Sequence, residues 1–314
     1  CDQHGMKTEG SWEEFTDWME SANQRGLKVS AQMVTTGIDF TFTFEDWNLY
    51  DFSPHWRDLC MGTTAEKLEK MRDPSRRQAI REEYDSVANA TREEFTADLE
   101  NDIAATALVQ FRTVADNQVV MVDNDELVKY EGMTIRQIAA KENKHICDVI
   151  LDIAVADELL TTFATPPNQY NPADIKKLLN KPYTIPGISD GGAHMKFSTF
   201  GRYGTEYLVN YVREGKMVDL EYAHWHLSAI PAQYAGLHDR GVIRVGSPAD
   251  ILIYDFDQLG WTEAEKVFDL PAGDWRRITK GIGYRYTLVN GEVTFIDGEN
   301  TGLTPGRLLR NGHA

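Results

Sequence analysis

The stretch PGISDGGAH, Pro186 to His194, sets Asp190, two glycines and a histidine directly behind the short apolar run Tyr183, Thr184 and Ile185. A strand over that run delivers Asp190 at its carboxyl end, where barrel enzymes carry their catalytic groups. A carboxylate there can bind a metal or take a proton from a metal-activated water. Gly191 and Gly192 let the backbone turn with no side chain over such a site. The same residues are also ordinary turn chemistry, and by spacing alone that reading comes first. His194 could orient a substrate or support a metal shell, or serve as a hydrogen-bonded loop residue.

The other histidines carry less. His224 and His226 form a His-x-His pair, a spacing that puts both side chains on one face of a strand. They fall in a helical segment, where positions i and i+2 diverge by about 200°, so they read as residues of a surface helix. His4 precedes the first helix and stands where a strand could end, which makes it a candidate ligand. His55, His145, His238 and His313 have no partner at metal spacing. A Gly-rich phosphate loop and a Gly-x-Ser-x-Gly elbow are both absent, which removes the main support for nucleotide and serine-hydrolase readings.

The elements that would position these residues follow from periodicity. A helix is expected from about Ser11, with Glu14 as capping-box partner, to about Gln24. Gly26 ends it, and LKVSAQMV (27–34) reads as a strand, one step of an α/β fold. From Trp47 to about Asn101 the chain is charged and reads as solvated helices, one starting at Pro74. QVVMV (118–122) and ELVKY (126–130) flank Asp123-Asn124-Asp125 as a hairpin, and helical spacing runs from Ile135 to Ile153. After His194 come two amphipathic helices, TEYLVNYVREG and DLEYAHWHLSAIPAQYAGL, each closed by Gly. From about Leu237 the chain turns to short strands, including a hairpin at Asn290-Gly291. The expectation is α/β over 1–236, with a mostly helical insertion at about 45–165, then a β-rich portion over 237–314.

Composition narrows the partners. The 314 residues are 42% hydrophobic, enough for a sizeable core, and carry a formal net charge of −17 from 32 Lys plus Arg against 49 Asp plus Glu. With no basic run, nucleic acid is not an expected partner. The longest apolar neighbourhood is broken by Asp148, Asp152 and Asp157, so no membrane span is expected. Three scattered cysteines, Cys1, Cys60 and Cys147, do not form a disulfide framework or a Cys-based zinc site, and a reducing, cytoplasmic compartment fits them. The absence of an initiating Met and of a signal-like run is what an internal piece of a longer polypeptide shows; a leading Cys would also suit a lipidated N-terminus.

Several stretches together resemble the amidohydrolase superfamily, in its D-aminoacylase (N-acyl-D-amino-acid deacylase) branch: GISDGGAH, YVREG, LSAIPAQYAGLHDRGVIRVGSPADILIYDFD, DLPAGDWRR and VNGEVTFIDGENTGLTPGRLL. A looser match through WMESANQRGLKVSAQMV extends the likeness toward the N-terminus. The resemblance implies the C-terminal part of a distorted TIM (β/α)8 barrel and the C-terminal share of a small β-sandwich. It implies zinc and a small-molecule N-acyl substrate, and leaves self-association open. Asp190 matches the aspartate that touches the metal and acts as general base and acid. His4 matches a zinc-binding histidine at the end of the sixth barrel strand. Arg202 lies where the branch carries an arginine suited to gripping a substrate carboxylate, although the spacing around GRYGTEY departs from the pattern. The first-strand His-x-His pair, the bridging ligand and the fifth-strand histidine have no counterpart. The expectation is therefore a C-terminal portion, inactive by itself. A related amidohydrolase opening cyclic amides, and a metal-free barrel domain, are the competing readings.

Overall fold

The computed structural model describes residues 11–37, 40–46, 48–50, 53–88, 113–166, 171–187, 191–193 and 195–310. The fold is α/β, and it divides into two compact units, Cys1–Ile38 with Gln169–Ala314, and Asp39–Asn168.

In the first unit the helix Ser11–Gln24 ends where Gly26 takes φ +88°, a backbone conformation that costs a glycine nothing. The strand Ala31–Val34 follows and pairs in parallel with Thr184–Gly187, Ala31 opposite Thr184 and Val34 opposite Gly187. Parallel neighbours need a long crossover, and the helix Pro172–Leu179 leads into the second strand. It starts with Asn171 accepting from the Ala173 N–H and Pro172 in its first turn. All four residues of Thr184–Gly187 are buried, so this strand is covered on both faces.

Two helical stretches succeed it. One runs through Tyr203–Glu206 and the wider, π-wound turns of Tyr207–Glu214; the other runs through Leu220–His224, a π-wound Trp225–Ala229, and Ile230–Tyr234. Their apolar faces meet Met33, Leu179 and Leu259 in one core with Tyr207, Leu208 and Ala223. The end of the chain forms a four-stranded antiparallel sheet in the order Glu299–Asn300, Glu292–Ile296, Tyr284–Val289, Ile251–Tyr254. Its hairpin turns at Asn290 and Gly291, with φ +50° and +86°, the pair of left-handed residues that a tight two-residue turn demands. Leu252 and Ile253, consecutive and hence on opposite faces, are both exposed.

The second unit has its own core of Phe42, Phe44, Tyr50, Trp56 and Phe163, packed with Ile150 and Leu151. Its three strands lie in the order Thr41–Phe42, Thr162–Ala164, Gln118–Met121, all antiparallel. The charged helices Pro54–Cys60, Thr64–Arg72 and Pro74–Ala88 are not merely solvated: Trp56, Leu59, Met71 and Ile80 are fully buried. Each helix carries one sparse apolar stripe that its charge-rich composition conceals. Arg77 and Arg81 then tie the third of these helices to Ile146–Ala156 through Asp152 at 2.6 Å and Asp148 at 2.8 Å.

The hairpin expected over 118–130 is not formed. Asn124 accepts from the Glu126 N–H and opens a helical turn, Asp125–Tyr130. The Asp157 carboxylate meanwhile takes the N–H groups of Asp123 and Asn124 at 3.0 and 2.7 Å. With the following segment so held, Gln118–Met121 pairs with Thr162–Ala164 instead. Asp-Asn-Asp suits both outcomes locally, because its side chains cap helical turns as readily as they make tight ones.

Candidate active site

The strand Thr184–Gly187 delivers the chain to the segment that holds Asp190, and Gly191 lines a cleft of about 560 Å³ in the first unit. Asp190 and His194 lie outside the described residues, as does His4. Arg202 is described, and it lines this cleft together with Thr205, Trp261, Arg277, Thr279 and Tyr284. The chain from Met195 onward is sewn to the C-terminal strands by hydrogen bonds. The Arg277 N–H donates to the Met195 carbonyl at 2.8 Å, and the Thr205 and Tyr284 hydroxyls meet at 2.6 Å. The Thr279 hydroxyl donates to Thr199 Oγ1 at 2.8 Å. The same Thr199 oxygen accepts from Arg202 Nη1 at 2.7 Å.

Arg202 is held on two further counts. Its Nε donates to Glu206 Oε1 at 2.6 Å, four residues along the helix, and its guanidinium carbon stands 5.7 Å from the centre of the Trp261 ring. Glu206 is only 3% exposed, and its second oxygen makes no hydrogen bond among the described residues. A buried carboxylate is costly unless a cation and donors compensate it. The Arg202 guanidinium is that cation here, and the aromatic face adds its own attraction for it. The pairing also locks a long side chain, which reduces the entropy that binding an anion would otherwise cost.

The sequence reading passed over Glu206 and Trp261. The i, i+4 spacing of Arg202 and Glu206 was the available signal for the first. Trp261 comes to the cleft only through the pairing of Gly260–Trp261 with Gly281–Ile282, which no local pattern announces.

The His-x-His pair splits as helical geometry requires. His224 Nε2 hydrogen-bonds the Tyr254 hydroxyl, while His226 Nδ1 meets the Tyr207 hydroxyl at 3.1 Å. The expected surface position fails for His226, which is fully buried among Tyr207, Tyr222 and Trp225, with Nε2 unpartnered among the described residues. Burial pushes its pKa down to about 4. Below the ordinary value near 6.5 the unfolded chain takes up a proton that the folded chain refuses, so stability falls as the pH drops from about 6.5 toward 4. The expected loss is about 2 kcal/mol by pH 5. Urea midpoints at pH 7 and pH 5 test this: the drop should shrink in His226→Gln, and an equal drop in both proteins would refute it.

Among the described residues no three His, Cys, Asp or Glu side chains gather into a metal-holding group. The two residues that the resemblance assigns to zinc, Asp190 and His4, are both outside that set. The described donors by themselves therefore do not make a zinc site.

Comparison with known proteins gives the family. The family model described as "Amidohydrolase family" matches residues 6–295. The N-acyl-D-glutamate deacylase of Alcaligenes xylosoxydans xylosoxydans is 34% identical over 125 residues, 39% of this chain and 23% of that protein. Among solved structures, a D-aminoacylase that defines a novel subset of amidohydrolases matches at 23% identity and a TM-score of 0.37, over 62% of this chain and 37% of that one. The N-acyl-D-glutamate deacylase of Bordetella bronchiseptica, solved with zinc and a phosphonate inhibitor, matches at 22% identity and a TM-score of 0.34, over 60% and 37%. The chain spans 23% to 46% of the length of the curated relatives it matches. With the model covering nearly all of it, the chain belongs to the amidohydrolase family, and D-aminoacylases and N-acyl-D-amino-acid deacylases are among its relatives.

Proposed function

We propose that the full-length protein hydrolyses the amide bond of N-acyl-D-amino acids, with this chain supplying the general base and the substrate's carboxylate anchor. The observation that carries the reading is the cleft itself. Gly191, the residue directly after Asp190, and the guanidinium-bearing Arg202 line the same space. A chain that ends a buried strand beside a fixed cation is what an acyl-amino acid needs, with the amide near Asp190 and the carboxylate on Arg202.

In this reading the barrel portion covers 1–236, with Ala31–Val34 and Thr184–Gly187 as two of its strands. Residues 237–314 form the C-terminal share of a β-sandwich. The exposed apolar residues of the four-stranded sheet, Leu252, Ile253, Phe295 and Ile296, are then covered by a layer from the rest of the protein. Zinc, were it held with His4 and Asp190 among its ligands, would supply Lewis acidity toward the amide carbonyl and the attacking water. Asp190 takes the proton of that water and passes it to the leaving nitrogen. His194 helps to orient the substrate. Arg202, clamped by Glu206 and Thr199, presents its guanidinium to the carboxylate, a pairing of matched planar geometry. Among the described residues no helix is long and apolar enough to cross a membrane; a cytoplasmic site of action belongs to the proposal.

The test is an assay of the full-length protein with N-acetyl-D-amino acids beside cyclic ureides, together with metal analysis of the purified enzyme. Turnover of the N-acetyl compounds and about one or more zinc per chain are expected. Turnover of the ureides alone would replace the reading with a cyclic amidase, and a metal-free protein without activity would replace it with a binding domain.

A further inference from the structure

We propose that Thr199 binds the substrate beside Arg202, its hydroxyl donating a hydrogen bond to the carboxylate that the guanidinium pairs with. The inference rests on the amide-hydrolase reading and adds a residue to the carboxylate site of that reading.

Thr199 opens the helical turn Phe200–Arg202, a position where a threonine side chain ordinarily accepts from a backbone N–H of the first turn. Here it caps nothing. Its oxygen is committed elsewhere: Arg202 Nη1 donates to it at 2.7 Å and the Thr279 hydroxyl at 2.8 Å. A hydroxyl oxygen offers two acceptor positions and one donor hydrogen. With both acceptor positions taken, Thr199 has only its hydrogen left to give, and no group among the described residues accepts it.

That hydrogen belongs to the cleft. Thr199, Arg202 and Thr279 all line it, and Thr199 is half-buried, so an occupant of that space can reach the hydroxyl. A group that can only donate suits a carboxylate oxygen, which can only accept. Accepting from a guanidinium also strengthens the hydroxyl as a donor, because linked hydrogen bonds polarise one another.

The arrangement is set from outside the Arg202 helix. Lys280, next to Thr279, donates its N–H to Thr262 Oγ1 at 3.0 Å and accepts the Thr262 N–H at 2.9 Å. Trp261, next to Thr262, carries the ring that backs Arg202. The same two segments thus fix both the Thr279 hydroxyl and the face behind the guanidinium. Thr199 and Arg202 are oriented together before a substrate arrives, which lowers the ordering cost of binding it.

The experiment uses the N-acetyl-D-amino acid that the full-length protein turns over fastest, and the α-carboxamide of the same compound, which keeps the shape and loses the charge. Thr199→Val should raise KM for the acid by about 10- to 100-fold, the range of a hydrogen bond to a charged group, with kcat moved much less. The carboxamide should lose less than about tenfold, the range of a neutral bond. Thr199→Ser, which retains the donor, should recover most of the lost affinity. In an Arg202→Met background Thr199→Val should still lower kcat/KM for the acid by about threefold or more, since the hydroxyl touches the carboxylate itself. Equal losses on acid and carboxamide, an unchanged KM for the acid, or no further loss in the Arg202→Met background would overturn the inference and leave the hydrolase reading standing. Should Thr199→Val fail to fold, Thr279→Val decides in its place: the preference for acid over carboxamide should fall, and an unchanged preference would overturn the inference. Turnover of no N-acetyl-D-amino acid by the wild type would remove both readings.

Discussion

Asp190→Asn in the full-length protein is expected to lower kcat by about 10²- to 10⁴-fold, the usual contribution of a general acid or base, with thermal unfolding unchanged. Asparagine keeps the size and a hydrogen-bonding oxygen but cannot accept and return a proton at neutral pH. The substitution therefore separates proton transfer from packing. KM should move far less than kcat, because in the proposed role the group moves a proton between the attacking water and the leaving nitrogen and does not anchor the substrate. Steady-state kinetics beside a melting curve suffice as the measurement. Activity within about tenfold of wild type, below the usual range for such a group, would show that Asp190 is only the turn residue its neighbours Gly191 and Gly192 suggest.

Arg202→Met should act on the other parameter, raising KM for N-acetyl-D-amino acids by about 10- to 100-fold, equivalent to about 1.5–3 kcal/mol for a hydrogen bond to a charged group. The expected loss has two parts: the cation proposed to meet the substrate carboxylate, and the compensation of Glu206, which is buried beside it. Glu206→Gln divides them. It removes the buried negative charge and weakens the hold on Arg202 Nε while leaving the guanidinium in the cleft, so its effect on KM should be smaller than that of Arg202→Met. Arg202→Lys keeps a positive charge but cannot engage Glu206 and a carboxylate with a planar fork, and should resemble Met more than wild type. If KM for the N-acetyl compounds is unmoved in Arg202→Met, the carboxylate anchor lies elsewhere.

What could be read from sequence follows the range of the interaction involved. The turn at Asn290-Gly291 is local, since two residues able to take positive φ suffice, and it forms where expected. The strands Ala31–Val34 and Thr184–Gly187 and the helix beginning at Pro74 are equally legible locally, from short stretches of apolar and β-branched residues and from proline at a helix start. The segment Asp125–Tyr130 escaped for the opposite reason. Its conformation depends on Asp157, more than thirty residues away, accepting the N–H groups that a hairpin would have used. His226 escaped likewise: nothing in Trp-His-Leu tells whether its helix turns that face outward or against Tyr207 and Tyr222.

The candidate site divides along the same line. The sequence by itself determined the family likeness, the acidic character of the chain, and the identity of Asp190, His194, Arg202 and His4 as the residues to weigh, because motif spacing and composition are properties of the chain alone. Only the tertiary structure decided that Arg202 is clamped by Glu206 and backed by Trp261, and that Arg276 and Arg277, far along the chain in the run DWRR, share its cleft. The reason is physical. A cleft is made by hydrogen bonds and packing between segments distant in sequence, such as Thr199 with Thr279 and Met195 with Arg277, and no local periodicity encodes which distant segments will meet.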